Sequence, residues 1–179
     1  MTGLSDSFQR PINYLRISVT DRCNLRCIYC MPADGVHLMS HRDILSYEEI
    51  CVIVQAAAEL GINKVRITGG EPLVRSGLPQ LIQMLASIDA IDDISLTTNG
   101  TLLGGYAAEL KAAGLHRVNV SLDTLKPEKF EFITRGQGFS DVLGGIEVAR
   151  SVGLNPVKIN TVVMAGINDD ELLDFAAKT

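Results

Sequence analysis

The chain has 179 residues, 46% of them hydrophobic, and 16 basic against 21 acidic side chains leave a formal net charge of −5. That length and apolar content suffice for one well-cored domain. The acidic balance argues against a DNA or RNA binder, whose phosphate contacts need a basic face. A membrane span needs about 20 continuous apolar residues, and the longest apolar stretches are broken at Gln55, Glu59, Arg66 or Thr97, so no membrane partner is expected. Residues 1–13 lack the basic-then-apolar order of a secretory signal, which predicts a cytoplasmic chain with reduced cysteines.

Strand-like runs alternate with helical stretches. A first strand is expected over 14–20. The loop that follows, 23–46, far exceeds the few residues usual between a strand and its helix and marks a functional segment. Ser46, Tyr47, Glu48 and Glu49 form a capping box that opens a helix closed by Gly61. Further strands are expected over 64–68, 93–98, 117–122 and 157–164. Pro79 starts one intervening helix, Gly114 and Gly153 end two more, and a last helical pattern opens near Asn168, Asp169 and Asp170. This alternation predicts an α/β fold with a parallel sheet. The last pattern reaches Thr179 without a cap, so the expectation is one domain cut short.

Side chains alternate between the two faces of a strand. One parity gathers Arg16, Ser18, Lys64, Arg66, Thr68, Ser95, Thr97, Asn119, Ser121, Lys158 and Asn160, while the other is apolar through Ile17, Val65, Ile67, Leu96, Val118, Val120 and Ile159. Both faces of a parallel sheet are normally covered, and the inside of a closed barrel is normally packed with bulky apolar groups. A polar inner face therefore predicts a partial barrel around a ligand-filled hollow. The competing reading is an open sheet with one solvated face.

Three of the four cysteines fall within the long loop as Cys23, Cys27 and Cys30, with the spacing C-x3-C-x2-C. Three thiolates on one loop can hold an iron–sulfur cluster, and three ligands leave one iron of a [4Fe–4S] cube open. Zinc, with His37 or His41 as a fourth ligand, is the weaker alternative, since zinc sites more often carry paired C-x2-C spacings. Cys51 shares a helix stripe with Tyr47, Val54 and Ala58, which suits a small buried hydrophobe.

The cysteine spacing with Tyr29 before its last member, and the run Thr68-Gly69-Gly70-Glu71-Pro72 at the end of the second strand, resemble the radical S-adenosylmethionine enzymes. Within them, four blocks over 15–23, 65–73, 96–100 and 118–125 resemble the GTP 3',8-cyclase family of molybdenum-cofactor biosynthesis. The tail Gly166-Ile167-Asn168-Asp169 is also similar to that family. The resemblance implies a radical S-adenosylmethionine core over 1–179, a partial (βα)6-type barrel with five parallel strands. It implies a lyase acting on GTP to give (8S)-3',8-cyclo-7,8-dihydroguanosine 5'-triphosphate.

By the same resemblance Cys23, Cys27 and Cys30 bind the [4Fe–4S] cluster and Tyr29, Gly70 and Ser121 bind S-adenosylmethionine. Arg16, Arg66, Thr97 and Lys158 match GTP-contacting positions, and Lys64 has the parity to join them. The partners implied are GTP and a reductant or electron donor. A second cluster on three C-terminal cysteines is expected of the family, and with only Cys51 spare its ligands are absent here. The chain as given is therefore expected to be less than fully active. A non-catalytic iron–sulfur or metal-binding nucleotide module is the alternative. An unpaired barrel edge would allow a homodimer. Ion pairs of the inner cations with Glu71 or Asp123 are the structural alternative to GTP binding.

Overall fold

The computed structural model describes residues 3–178. Five parallel strands, β1 (Tyr14–Ser18), β2 (Lys64–Thr68), β3 (Asp93–Thr98), β4 (Arg117–Ser121) and β5 (Val157–Asn160), lie side by side in chain order. The crossovers carry α1 (Tyr47–Glu59), α2 (Leu78–Ala86), α3 (Leu103–Ala112), and the pair α4 (Pro127–Thr134) and α5 (Phe139–Ser151), while α6 (Leu172–Ala176) follows β5. The predicted α/β fold and partial barrel wall are present.

Local signals explain the helix starts. Ser46 Oγ accepts from Glu49 N at 3.2 Å and Glu49 Oε2 accepts from Ser46 N at 2.7 Å, closing the capping box of α1. Helix α2 begins one residue before Pro79, which then occupies its first turn, where a missing N–H costs nothing.

The core lies between the sheet's apolar parity and the helices. Val65, Ile67, Ile94, Leu96, Val118 and Val120 are fully buried against Val54, Leu81, Leu85, Leu103, Leu110 and Val142. Truncating one such leucine, Leu96→Ala, would cost about 2–5 kcal/mol through lost transfer and the cavity left behind. Helices α3 and α5 meet where Gly145 faces Gly104. A Cβ there would stand 3.0 Å from Gly100 O and 3.1 Å from Leu103 Cβ, so the approach leaves no room for a side chain.

Three strands end earlier than the sequence reading has them, β1 at Ser18 instead of 20, β4 at Ser121 instead of 122, and β5 at Asn160 instead of 164. The reason is competition for backbone groups at the C-terminal ends. Beyond Asn160, Asp123 Oδ1 accepts from Val162 N at 2.8 Å and Asn168 Oδ1 accepts from Met164 N at 2.7 Å, so side chains replace the ladder. Beyond Ser18, the chain turns under β2, where Thr20 O accepts from Gly70 N at 2.7 Å.

Candidate functional site

The cysteine loop leaves β1 and is held against α4. The loop amides of Arg26 and Ile28 donate to the last carbonyls of α4, Thr134 O at 2.9 Å and Ile133 O at 2.8 Å, satisfying acceptors that a helix end leaves free. Arg135, in the left-handed region at φ 51°, turns back and donates from Nη1 to Met31 O at 3.1 Å. Leu25 anchors the loop in the core. The three thiols are free; Cys23 and Cys27 are half-buried and Cys30 is exposed.

Burial pushes the Cys27 thiol up to about 11, with Asp123, Cys23 and Cys30 adding to the shift, and burial also raises Cys23. The sulfurs are thus near enough to disfavour one another's charge, and a cation among them would reverse that preference. Leu25 N donates to Cys23 Sγ at 3.4 Å and Asn99 Nδ2 approaches the same sulfur at 3.9 Å, donors suited to a thiolate ligand. Among the described residues no three of His, Cys, Asp and Glu converge on one point that a single metal ion could fill. A cube holds each cysteine on a different iron and spaces the sulfurs more widely. The three thiols, with N–H donors at Cys23 Sγ, fit an iron–sulfur cluster, and His41 is engaged with Arg22, 3.1 Å from its Nη2.

The Gly-Gly-Glu-Pro run joins this loop to the sheet. A Cβ on Gly70 would lie 2.2 Å from Arg22 O and one on Gly69 2.6 Å from Thr20 O, so both glycines are required by the backbone of the cysteine segment itself. Glu71 is fully buried. Its carboxylate accepts from Leu73 N at 3.0 Å, Thr98 Oγ1 at 2.8 Å and Asn99 N at 2.6 Å, which ties the end of β2 to the end of β3. Burial raises its pKa against those hydrogen bonds. Asn99 continues the chain of contacts, donating from Nδ2 to Asn24 Oδ1 at 2.8 Å inside the cysteine loop.

The polar parity forms one face. The parallel register pairs Arg16 with Arg66, Arg66 with Ser95, Ser95 with Arg117, Thr97 with Asn119, Asn119 with Lys158 and Ser121 with Asn160. Arg66 stacks over the Tyr14 ring at 5.3 Å. Among the described residues Arg16, Lys64, Arg66 and Lys158 have no carboxylate within ion-pair distance, and the bidentate pair on this face is Arg117 with Asp93. The alternative that Glu71 or Asp123 neutralises the inner cations is thereby corrected. Glu71 is consumed by backbone and hydroxyl donors, and Asp123 by Tyr29 and Val162. Adjacent Arg16 and Arg66, about 5 Å apart across neighbouring strands, are uncompensated and suit an anion.

The expected site residues thus fall at one end and on one face of the sheet. Cys27, Tyr29 and Ser121 line one cavity together with Asn99 and Asp123. Arg16, Arg66, Thr97 and Lys158 share the polar face beneath it. Sequence reasoning missed the Glu71–Asn99 link, the Tyr29–Asp123 contact and the role of α4 as a shelf for the loop. Only Pro127, which sits in the first turn of α4, signalled that helix.

A parallel sheet with a three-cysteine loop and a Gly-Gly-Glu-Pro turn at its C-terminal ends defines the class. The chain belongs to the Radical SAM superfamily, whose family model matches residues 17–178. Among curated relatives it is 59% identical over 176 residues to the GTP 3',8-cyclase of Peptoclostridium acidaminophilum and 60% identical over 174 residues to that of Petrotoga mobilis. These alignments cover 98% and 97% of this chain and 54% of each relative, so the chain spans about half the length of the curated relatives it matches. Among solved structures, SuiB of Streptococcus suis bound to S-adenosylmethionine superposes with a TM-score of 0.73 at 21% identity, over 93% of this chain and 38% of that one. HydG, a maturase of the [FeFe]-hydrogenase, gives 0.67 at 17% identity, over 83% and 34%. That likeness is one of fold. Among the described residues no helix is long and apolar enough to cross a membrane.

Proposed function

We propose that this chain is the radical S-adenosylmethionine core of a GTP 3',8-cyclase. The observation that carries the reading is the unpaired, register-matched Arg16 and Arg66 on the face that also presents Ser121, directly below the cysteine loop. Cys23, Cys27 and Cys30 would hold a [4Fe–4S] cluster, and Tyr29, Gly70 and Ser121 would bind S-adenosylmethionine. The chemistry such a cluster and S-adenosylmethionine would supply, with an electron from a reductant, is radical hydrogen abstraction from the nucleotide.

The chain's own residues position and bind. Arg16 and Arg66 present planar forks of donors to phosphate oxygens, and Lys158 adds a compact charge on a long stem. Thr97 supplies a hydroxyl between them and the loop. Glu71 and Asn99 fix the end of β3 against the cysteine loop, a junction that would set the distance between cofactor and substrate. That distance matters because an error of an ångström can cost about a hundredfold in rate.

Titration calorimetry with GTP and with guanosine tests the reading. Charge-assisted contacts to phosphate are worth roughly 1.5–3 kcal/mol, so Arg16→Ala, Arg66→Ala and Lys158→Ala should each weaken GTP binding about ten- to a hundredfold and leave guanosine unaffected. Variants that bind GTP as the parent does would overturn the assignment.

A further inference from the structure

Asn119 stands on β4, on the polar face, and is 3% exposed, yet its Nδ2 has no hydrogen-bond partner. Native interiors rarely leave a buried amide donor unpaired, and an orphan of this kind calls for a missing partner. The other two buried polar atoms without partners, Asp21 Oδ1 and Asn63 Oδ1, are acceptors and lie outside the strands. Among the described residues, then, Asn119 holds the one orphan donor on the sheet.

Its rung identifies what would satisfy it. Asn119 pairs with Thr97 on one side and Lys158 on the other. Two residues further along β4, about 6.6 Å away at roughly 3.3 Å per residue, is Ser121, the proposed cofactor contact. Two residues back lies the rung of Arg117, Ser95, Arg66 and Arg16. A nucleoside triphosphate with its phosphates on the arginine rung and its reacting carbon turned to the cofactor places its sugar at the level between them. Lys158 can reach away from that level on its four-carbon stem, whereas the short Asn119 side chain cannot.

We propose that Asn119 is a further substrate-binding residue, whose amide donates a hydrogen bond to a ribose hydroxyl of the nucleotide. The inference rests on the reading of this face as a GTP site. It also predicts that the residue is kept at a cost to the empty protein, since a buried unpaired amide disfavours folding.

The test is calorimetric titration of the chain and of Asn119→Ala with GTP, 2'-deoxy-GTP and 3'-deoxy-GTP, together with thermal unfolding of both proteins without ligand. The parent should prefer GTP to at least one deoxy analogue by about two- to tenfold, the range of one neutral hydrogen bond. Asn119→Ala should lose that preference and unfold at the same temperature or higher. Asn119→Asp, of equal size but unable to donate, should bind GTP more weakly still. An unchanged preference in Asn119→Ala, or a protein that no longer folds, would mark the amide as structural and overturn the inference. Failure of the parent to bind GTP at all would instead remove the reading of the face, and this inference with it.

Discussion

Tyr29 donates from its hydroxyl to Asp123 Oδ2 at 2.7 Å, bridging the cysteine loop and the end of β4. Asp123 is 7% exposed and its other oxygen is held by Val162 N, so the Tyr29 hydroxyl is the remaining partner of its carboxylate. Burial and the carboxylate together drive the Tyr29 hydroxyl far above its ordinary range, which keeps it a donor at every working pH. Cys27, two residues before Tyr29, lines the same cavity as Tyr29, Asp123 and Ser121.

Removing that hydroxyl leaves a buried acceptor unsatisfied. Tyr29→Phe should lower stability to urea by about 1–3 kcal/mol and speed loss of iron from the reconstituted protein. An unchanged unfolding midpoint would show that the loop is held by α4 alone.

Gly70→Ala tests the junction between loop and sheet. The added Cβ would meet Arg22 O at 2.2 Å, and backbone cannot yield as a flexible side chain can. The loop must shift while the helices and the remaining strands stay. Circular dichroism should change little and iron incorporation should fall severalfold; a variant that loads iron like the parent contradicts the close approach.

Glu71→Ala should be the more damaging change at the same turn. It strands the amides of Leu73 and Asn99 and the hydroxyl of Thr98 in a dry interior. At about 1–3 kcal/mol for each buried group left unpaired, the total should reach at least about 3 kcal/mol in denaturant unfolding. A smaller loss would mean that water replaces the carboxylate.

Acid sensitivity should appear where the last segment docks. Lys126 and Lys129 hold the Asp170 carboxyl down at about 2, by hydrogen bonds first and charge second. A depressed carboxylate stabilises the fold above its unfolded value of 3.8 and loses that contribution as pH falls through about 2. Carboxyl NMR titration should find Asp170 near 2, and Lys126→Ala with Lys129→Ala should return it toward the ordinary range. Both lysine contacts are at the surface, so high salt should have the same sense of effect.

Much of the fold was legible because its signals are local. The parity of Val65 and Ile67 against Arg66, the capping box at Ser46 and the glycines after α3 and α5 each depend on neighbours within a few residues. The cysteine spacing likewise needs no tertiary information. What could not be read was set by groups far apart in sequence. Strand β5 stops at Asn160 because Asp123 and Asn168 capture the following amides. The glycines of the Gly-Gly-Glu-Pro turn make room for Thr20 and Arg22, a close approach that no local pattern shows. The service of helix α4 to the cysteine loop follows from where its last carbonyls point. The orphan amide of Asn119 is invisible to any pattern, since only the assembled face shows that nothing meets it.

The most direct test of the account is anaerobic reconstitution of the chain with iron and sulfide, followed by reductant and S-adenosylmethionine and quantification of iron and 5'-deoxyadenosine. About four irons per chain and formation of 5'-deoxyadenosine are expected, both lost in Cys23→Ala, Cys27→Ala and Cys30→Ala and both kept in Cys51→Ala. A colourless protein that takes up zinc, or a cluster that depends on Cys51 and survives without Cys23, would contradict it.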